Sequence, residues 1–134
     1  MTADETTARA TGTDENTLLL DPNALRSLAD LLEGDRDAVR EIVDAFVEEV
    51  PQRLADLRAG SGGKDAARVG RAAHTLKSNA LTFGATRLGQ LCLELETAAR
   101  AEDLTRAPGL AGQIEAEWSR VEPALHALRD QGLP

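Results

Sequence analysis

Cysteine occurs once, at Cys92, tyrosine is absent, and two phenylalanines and one tryptophan are the whole aromatic content. A lone thiol excludes an intrachain disulfide and leaves a Cys-based zinc site without ligands. Two histidines with no clustered partner likewise argue against a His-based metal centre. No apolar run approaches the roughly 20 residues of a membrane span, and the first residues lack the apolar segment of a signal peptide. A cytoplasmic location is therefore expected. Basic residues are in deficit: 15 Lys and Arg against 23 Asp and Glu give a formal net charge of −8. Such a chain is a poor partner for nucleic acid, whose phosphates need a cationic face. Sustained period-two alternation is missing too, so no strand is expected.

What remains favours helices. Hydrophobic residues make up 42% of the 134 and charged residues 28%, a globular balance. Ala, Leu, Arg and Glu abound, and such unbranched side chains lose little rotamer freedom in a helix. The polar, Thr-rich stretch of residues 1–17 reads as a disordered tail. Residues 18–134 carry the folded domain.

Asp21-Pro22 signals a helix start, with Asp as N-cap and Pro in the first turn. Leu25, Leu28, Leu31 and Leu32 then recur at helical spacing until Gly34. A second stripe runs from Val39 through Ile42, Val43, Phe46, Val47, Val50 and Leu54 to Leu57. Pro51 falls inside it, and the uninterrupted stripe predicts one bent helix rather than two. Gly60-Ser61-Gly62-Gly63 reads as a flexible connector. Followed by Lys64 it looks superficially like a phosphate-binding loop, but Asp65 stands where Ser or Thr must ligate magnesium. A third helix runs from Lys64 through Phe83 to Gly84, a natural left-handed stop. Leu88, Leu91, Cys92 and Leu95 mark a fourth, ending near Ala101, and residues 102–109 read as a loop. The last helix carries Leu110, Ile114, Trp118, Val121, Leu125 and Leu128, with Pro123 inside it. One apolar stripe per helix and short connections predict an all-α fold: an antiparallel four-helix bundle with a short additional N-terminal helix.

His74 and Lys77 lie three residues apart on the third helix. At roughly 100° per residue, Val69, Ala72, Ala73, Leu76, Ala80 and Phe83 share a core face, and His74 points roughly 150° away from its middle. The ring is therefore expected to be exposed. Gly70 and Ser78, one turn either way, leave it uncovered. Arg71 and Lys77 lie at i−3 and i+3, and a cation there favours a neutral, nucleophilic imidazole. Leu81, one turn beyond on the same stripe, adds a small apolar spot suited to a docking partner. His126 has no site-like surroundings. Glu94 and Glu96 read as solvated or helix-packing carboxylates, and Cys92 and Trp118 as core residues.

With these residues in view, the chain resembles a histidine-containing phosphotransfer (HPt) domain of two-component phosphorelays. The resemblance rests on "AHTLKSNALTFGATRLGQLCLELE", where His74, Leu76, Lys77, Gly84, Leu88 and Glu96 match the family pattern, and on "FVEEVPQRLADL" upstream. It implies that His74 accepts a phosphoryl group from the phospho-aspartate of a response-regulator receiver domain, free or within a hybrid histidine kinase, and passes it to another receiver. By the same resemblance Lys77 stabilises phosphoryl charge, Gly84 terminates the helix, and Gly70, Arg71, Ser78 and Leu81 border the docking face. It implies no ATP site, no cofactor and no metal in this chain, the magnesium of transfer belonging to the receiver, and it fits a monomer. Many family members have Gly directly after the lysine, where this chain has Ser78. Two alternatives stand beside the relay: the phospho-accepting domain of a chemotaxis-type histidine kinase, and a bundle that docks on receivers without chemistry.

Overall fold

The computed structural model describes residues 19–133, all in helices or short turns; the tail expected over residues 1–17 lies outside the described residues. Five helices follow one another: α1 (Pro22–Leu31), α2 (Arg36–Gly62), α3 (Ala66–Thr82), α4 (Thr86–Arg100) and α5 (Ala107–Gln131). Helix α3 packs against α2 and α4, and α5 against the other sides of the same two, closing a four-helix ring; α1 rests on α3. Among the described residues no helix is long and apolar enough to cross a membrane.

Aspartates start the first three helices. Asp21 accepts from Asn23 N–H at 2.9 Å, Asp35 from Asp37 and Ala38, and Asp65 from Arg68 at 3.1 Å. Each satisfies amide donors that the first turn leaves without a helical partner. Asp65, the residue that broke the phosphate-loop pattern, is thus a helix cap.

The apolar stripes meet in one core. Val39, Val43, Phe46, Val50 and Leu57 of α2 face Val69, Ala72, Ala73, Leu76 and Ala80 of α3, and Leu88, Leu91, Cys92 and Leu95 of α4 join Ile114, Trp118, Val121 and Leu125 of α5. Phe46 stacks on Phe83 with centroids 5.6 Å apart and meets the edge of Trp118 at 5.2 Å. Each such contact adds about 0.5–1.5 kcal/mol beyond area burial. Leu31 departs from its expected stripe and is 78% exposed, because the short α1 packs through Leu25 and Leu28 alone.

Three boundaries differ from expectation. Gly60-Ser61-Gly62 is not a flexible connector but the last turn of α2. Gly60 is buried there, and a Cβ on it would lie 2.7 Å from Val69 Cγ2 and 3.1 Å from the Asp65 carbonyl. Its missing side chain lets the end of α2 approach the start of α3. The left-handed turn falls on Lys64 (φ 56°). Helix α5 begins at Ala107 rather than after Gly109, with Pro108 in its first turn, where a missing N–H costs nothing. Pro51 and Pro123 both lie inside continuous helices, on exposed positions.

Gly84 ends α3 as expected, with φ 72°. It does more than turn the chain: its carbonyl accepts from Asp21 N–H at 2.7 Å, and a Cβ on it would stand 2.6 Å from that same nitrogen. The turn after α3 thereby ties down the start of α1.

Candidate functional site

The exposed side of α3 and the adjoining face of α4 form the site. His74 is 56% exposed, with its ring leaning towards α4. Nδ1 lies 2.8 Å from Oε2 of Glu96. An ionised carboxylate only accepts hydrogen bonds, so Nδ1 carries the proton in this contact. The neutral ring then keeps its lone pair on Nε2.

Glu96 is the residue whose importance the linear reading underrated. It is 3% exposed and receives three donors: His74 Nδ1, Lys77 Nζ at 2.6 Å on Oε1, and Arg100 at 2.7 Å on Oε2. Burial pushes its pKa up, but the hydrogen bonds from Lys77 and His74 and the charges of Lys77 and Arg100 outweigh that. The net result holds the carboxyl below the ordinary glutamate range. A signal was present in the sequence: Glu96 interrupts the apolar stripe of Cys92, Leu95 and Ala99, and a carboxylate on a buried stripe needs partners. Arg100, four residues on, is its partner along the helix.

Lys77 is placed differently from the expectation of a cation facing the imidazole. Its side chain is 21% exposed and its ammonium is bound by Glu96, so a carboxylate stands nearest the ring. The cationic stretch read around His74 also divides. Arg68 turns to α2 and bonds Asp56 at 3.0 Å, while Arg71 stays exposed beside His74.

A shallow concavity adjoins the ring, lined by Gly70, Arg71, His74 and Thr75 of α3 and by Glu96, Ala99 and Arg100 of α4, among others. Gly70 therefore opens space, since a Cβ there would only touch Ala99 at 3.5 Å. Ser78 and Leu81 lie further along α3, outside this lining. Leu81 is 51% exposed and folds over α4, where a Cβ on Gly89 would come within 2.8 Å of its Cδ2. His126 sits apart, 3.7 Å from Glu122 on its own helix, and Glu94 is exposed near Arg106. Among the described residues no group of three or more His, Cys, Asp or Glu side chains is arranged to hold a metal ion.

Comparison with known proteins agrees with the all-helical fold. The family model for the Hpt domain matches residues 41–129. A solved structure of histidine-containing phosphotransfer protein B (HptB) from Pseudomonas aeruginosa PAO1 is similar at 34% identity and a TM-score of 0.76. The match covers 84% of this chain and 96% of that one. The HPT domain of a sensor hybrid histidine kinase from Shewanella shares the fold at 18% identity, with a TM-score of 0.69 and 84% and 95% coverage. No curated protein matches the sequence.

Proposed function

The chain belongs to the Hpt domain family, and from that premise we propose that His74 is its phospho-acceptor. It takes a phosphoryl group from the phospho-aspartate of a response-regulator receiver domain and passes it to a second receiver. The observation that carries this reading is the arrangement of the ring: Nδ1 is held by the buried Glu96, leaving Nε2 unencumbered on an exposed face.

Transfer between carboxylate and imidazole depends on positioning and charge stabilisation more than on acid–base groups. The rigid α3–α4 pair supplies positioning, because Glu96 fixes the ring from a neighbouring helix. Lys77 and Arg100 supply positive charge within one helical turn, held in place by the same carboxylate. The concavity at Gly70 and Arg71 admits the receiver from one side, and Ser78 and Leu81 border the docking face on the other. The domain acts as a monomer with no cofactor of its own. The kinship with HptB over most of both chains favours a relay role over a kinase-linked or purely docking one.

Incubation with a phosphorylated receiver tests the assignment. The protein is expected to take up label that survives alkali and is lost in acid, as phosphohistidine is. His74→Gln is expected to take up none while keeping its helix content; equal labelling of this variant removes His74 from the role. Equilibrium sedimentation of the unphosphorylated chain checks the monomer.

A further inference from the structure

We infer that Arg71 is the cation that contacts the phosphoryl group on His74, in the concavity that Gly70 leaves open beside the ring. The inference rests on the acceptor role proposed for His74. It moves Arg71 from the border of the docking face into the chemistry.

Three cations stand at the site, and two of them are committed. Lys77 Nζ and Arg100 both bond the carboxylate of Glu96, at 2.6 and 2.7 Å. Arg71 is exposed and, among the described residues, has no carboxylate within ion-pair distance. No acid lies three or four residues from it along α3, where Ala67, Arg68, His74 and Thr75 stand. Arg68, the other arginine of that helix, turns to α2 and is held by Asp56. Arg71 is thus the guanidinium beside the ring whose donors remain open.

The position of Arg71 suits a phosphoryl group on Nε2. Side chains on a helix lean towards its N-terminus, so His74 overhangs the turn that carries Gly70 and Arg71. Arg71 and His74 are neighbours at i and i+3, about 5–6 Å apart at Cβ, and both line the concavity. Ala67, Gly70 and Ala99 line it too, and such small side chains leave room for a tetrahedral group. In transfer the Nε2 lone pair attacks phosphorus. The P–O bond to the receiver's aspartyl carboxylate breaks, and its electron pair leaves on that carboxylate. The arriving group carries about two negative charges at neutral pH, beside a carboxylate that is already there. Glu96 cancels one of the three positive charges, so two remain only when Arg71 is counted. A guanidinium also offers paired N–H donors that match two phosphoryl oxygens, a stronger contact than a neutral hydrogen bond.

The test phosphorylates the full chain, carrying nitrogen-15 arginine, with phosphoramidate, from which ammonia leaves. The Nε–H signal of Arg71, assigned by its loss in Arg71→Gln, is expected to move once His74 is phosphorylated. That of Arg68, held by Asp56, is expected to stay. Uptake is then timed with phosphoramidate and with a phosphorylated receiver. Arg71→Gln, at an exposed position, is expected to fold normally and to slow uptake from both donors about tenfold or more. A loss confined to the receiver makes Arg71 a docking residue and overturns the inference. A loss confined to phosphoramidate, parent rates with both donors, or an Arg71 signal that phosphorylation leaves unmoved overturns it as well. A parent chain that takes label from neither donor, or labelling that survives His74→Gln, instead strikes down the acceptor assignment, so the two failures are distinguishable.

Discussion

The ammonium of Lys77 and the carboxylate of Glu96 meet at 2.6 Å, although the two residues lie nineteen positions apart on neighbouring helices. The contact joins α3 to α4 beside His74. It turns what the sequence presents as a His–Lys pair into a cluster of three cationic or ring donors around one buried acid.

Replacing Lys77 by Ala takes one donor from Glu96 and leaves His74 and Arg100 in place. A charge-assisted hydrogen bond contributes about 1.5–3 kcal/mol, so phosphoryl uptake is expected to slow on the order of tenfold. Helix content by circular dichroism is expected to stay intact. Uptake at the parent rate separates Lys77 from the chemistry.

The same cluster makes stability depend on acid. Glu96 is held below its ordinary value of 4.5, as Asp56 is below 3.8, the latter mainly by its hydrogen bond to Arg68 against a burial penalty. A carboxyl whose folded-state pKa is depressed contributes stability that is complete above the unfolded value and is lost as pH falls through the folded one. Thermal melts are therefore expected to be flat with respect to these groups above about pH 5 and to drop below the ordinary carboxylate range. Glu96→Gln is expected to flatten part of that decline; an identical acid limb places the linkage elsewhere.

Glycine substitutions test the helix junctions. Gly60→Ala drives a methyl into Val69 and the Asp65 carbonyl, an overpacking that costs about 1–3 kcal/mol. Gly62→Ala, two residues on, meets nothing within 4 Å and gains up to about 1 kcal/mol from helix propensity. Gly84→Ala combines a left-handed backbone, costing about 1–2 kcal/mol, with a clash on Asp21. Urea midpoints are expected to fall for Gly60→Ala and Gly84→Ala and to hold or rise for Gly62→Ala. Equal behaviour of the first two variants with the third removes the close approaches from the account.

Cys92 is fully buried, and burial, with the charge of Glu96 adding and that of Lys77 opposing, pushes its thiol up to about 12. Only the thiolate reacts with alkylating reagents. Iodoacetamide at mildly alkaline pH is expected to modify Cys92 in denaturant and leave the native chain untouched over the same time. Rapid native labelling means that α4 opens locally.

Much of this was legible in one dimension, and the two kinds of error are informative. Helix identities followed from period, and Asp21 caps the first helix as expected; the capping role of Asp65, where the helix was expected to begin at Lys64, came only with the structure. The outward orientation of His74 followed from its angle to the core face, since a helix has only one period. The glycine run at residues 60–63 misled because Gly is read locally as freedom, whereas Gly60 answers to Val69 on the next helix. Residues 102–109 read as a loop, whereas α5 begins at Ala107 with Pro108 in its first turn, which tolerates it.

Read alone, the amino-acid order determined the helical class, the number of helices, the core stripes and the exposure of His74, because each depends on periodicity within a single segment. Only the tertiary structure decided what surrounds the ring. Glu96, Lys77 and Arg100 converge because α3 and α4 pack side by side, and a contact between helices depends on their relative rotation and register, which no single helix carries. The burial of Glu96 is the clearest case: its own stripe marked it as odd, and the neighbouring helix supplied the ring and the ammonium that let a carboxylate stay charged there.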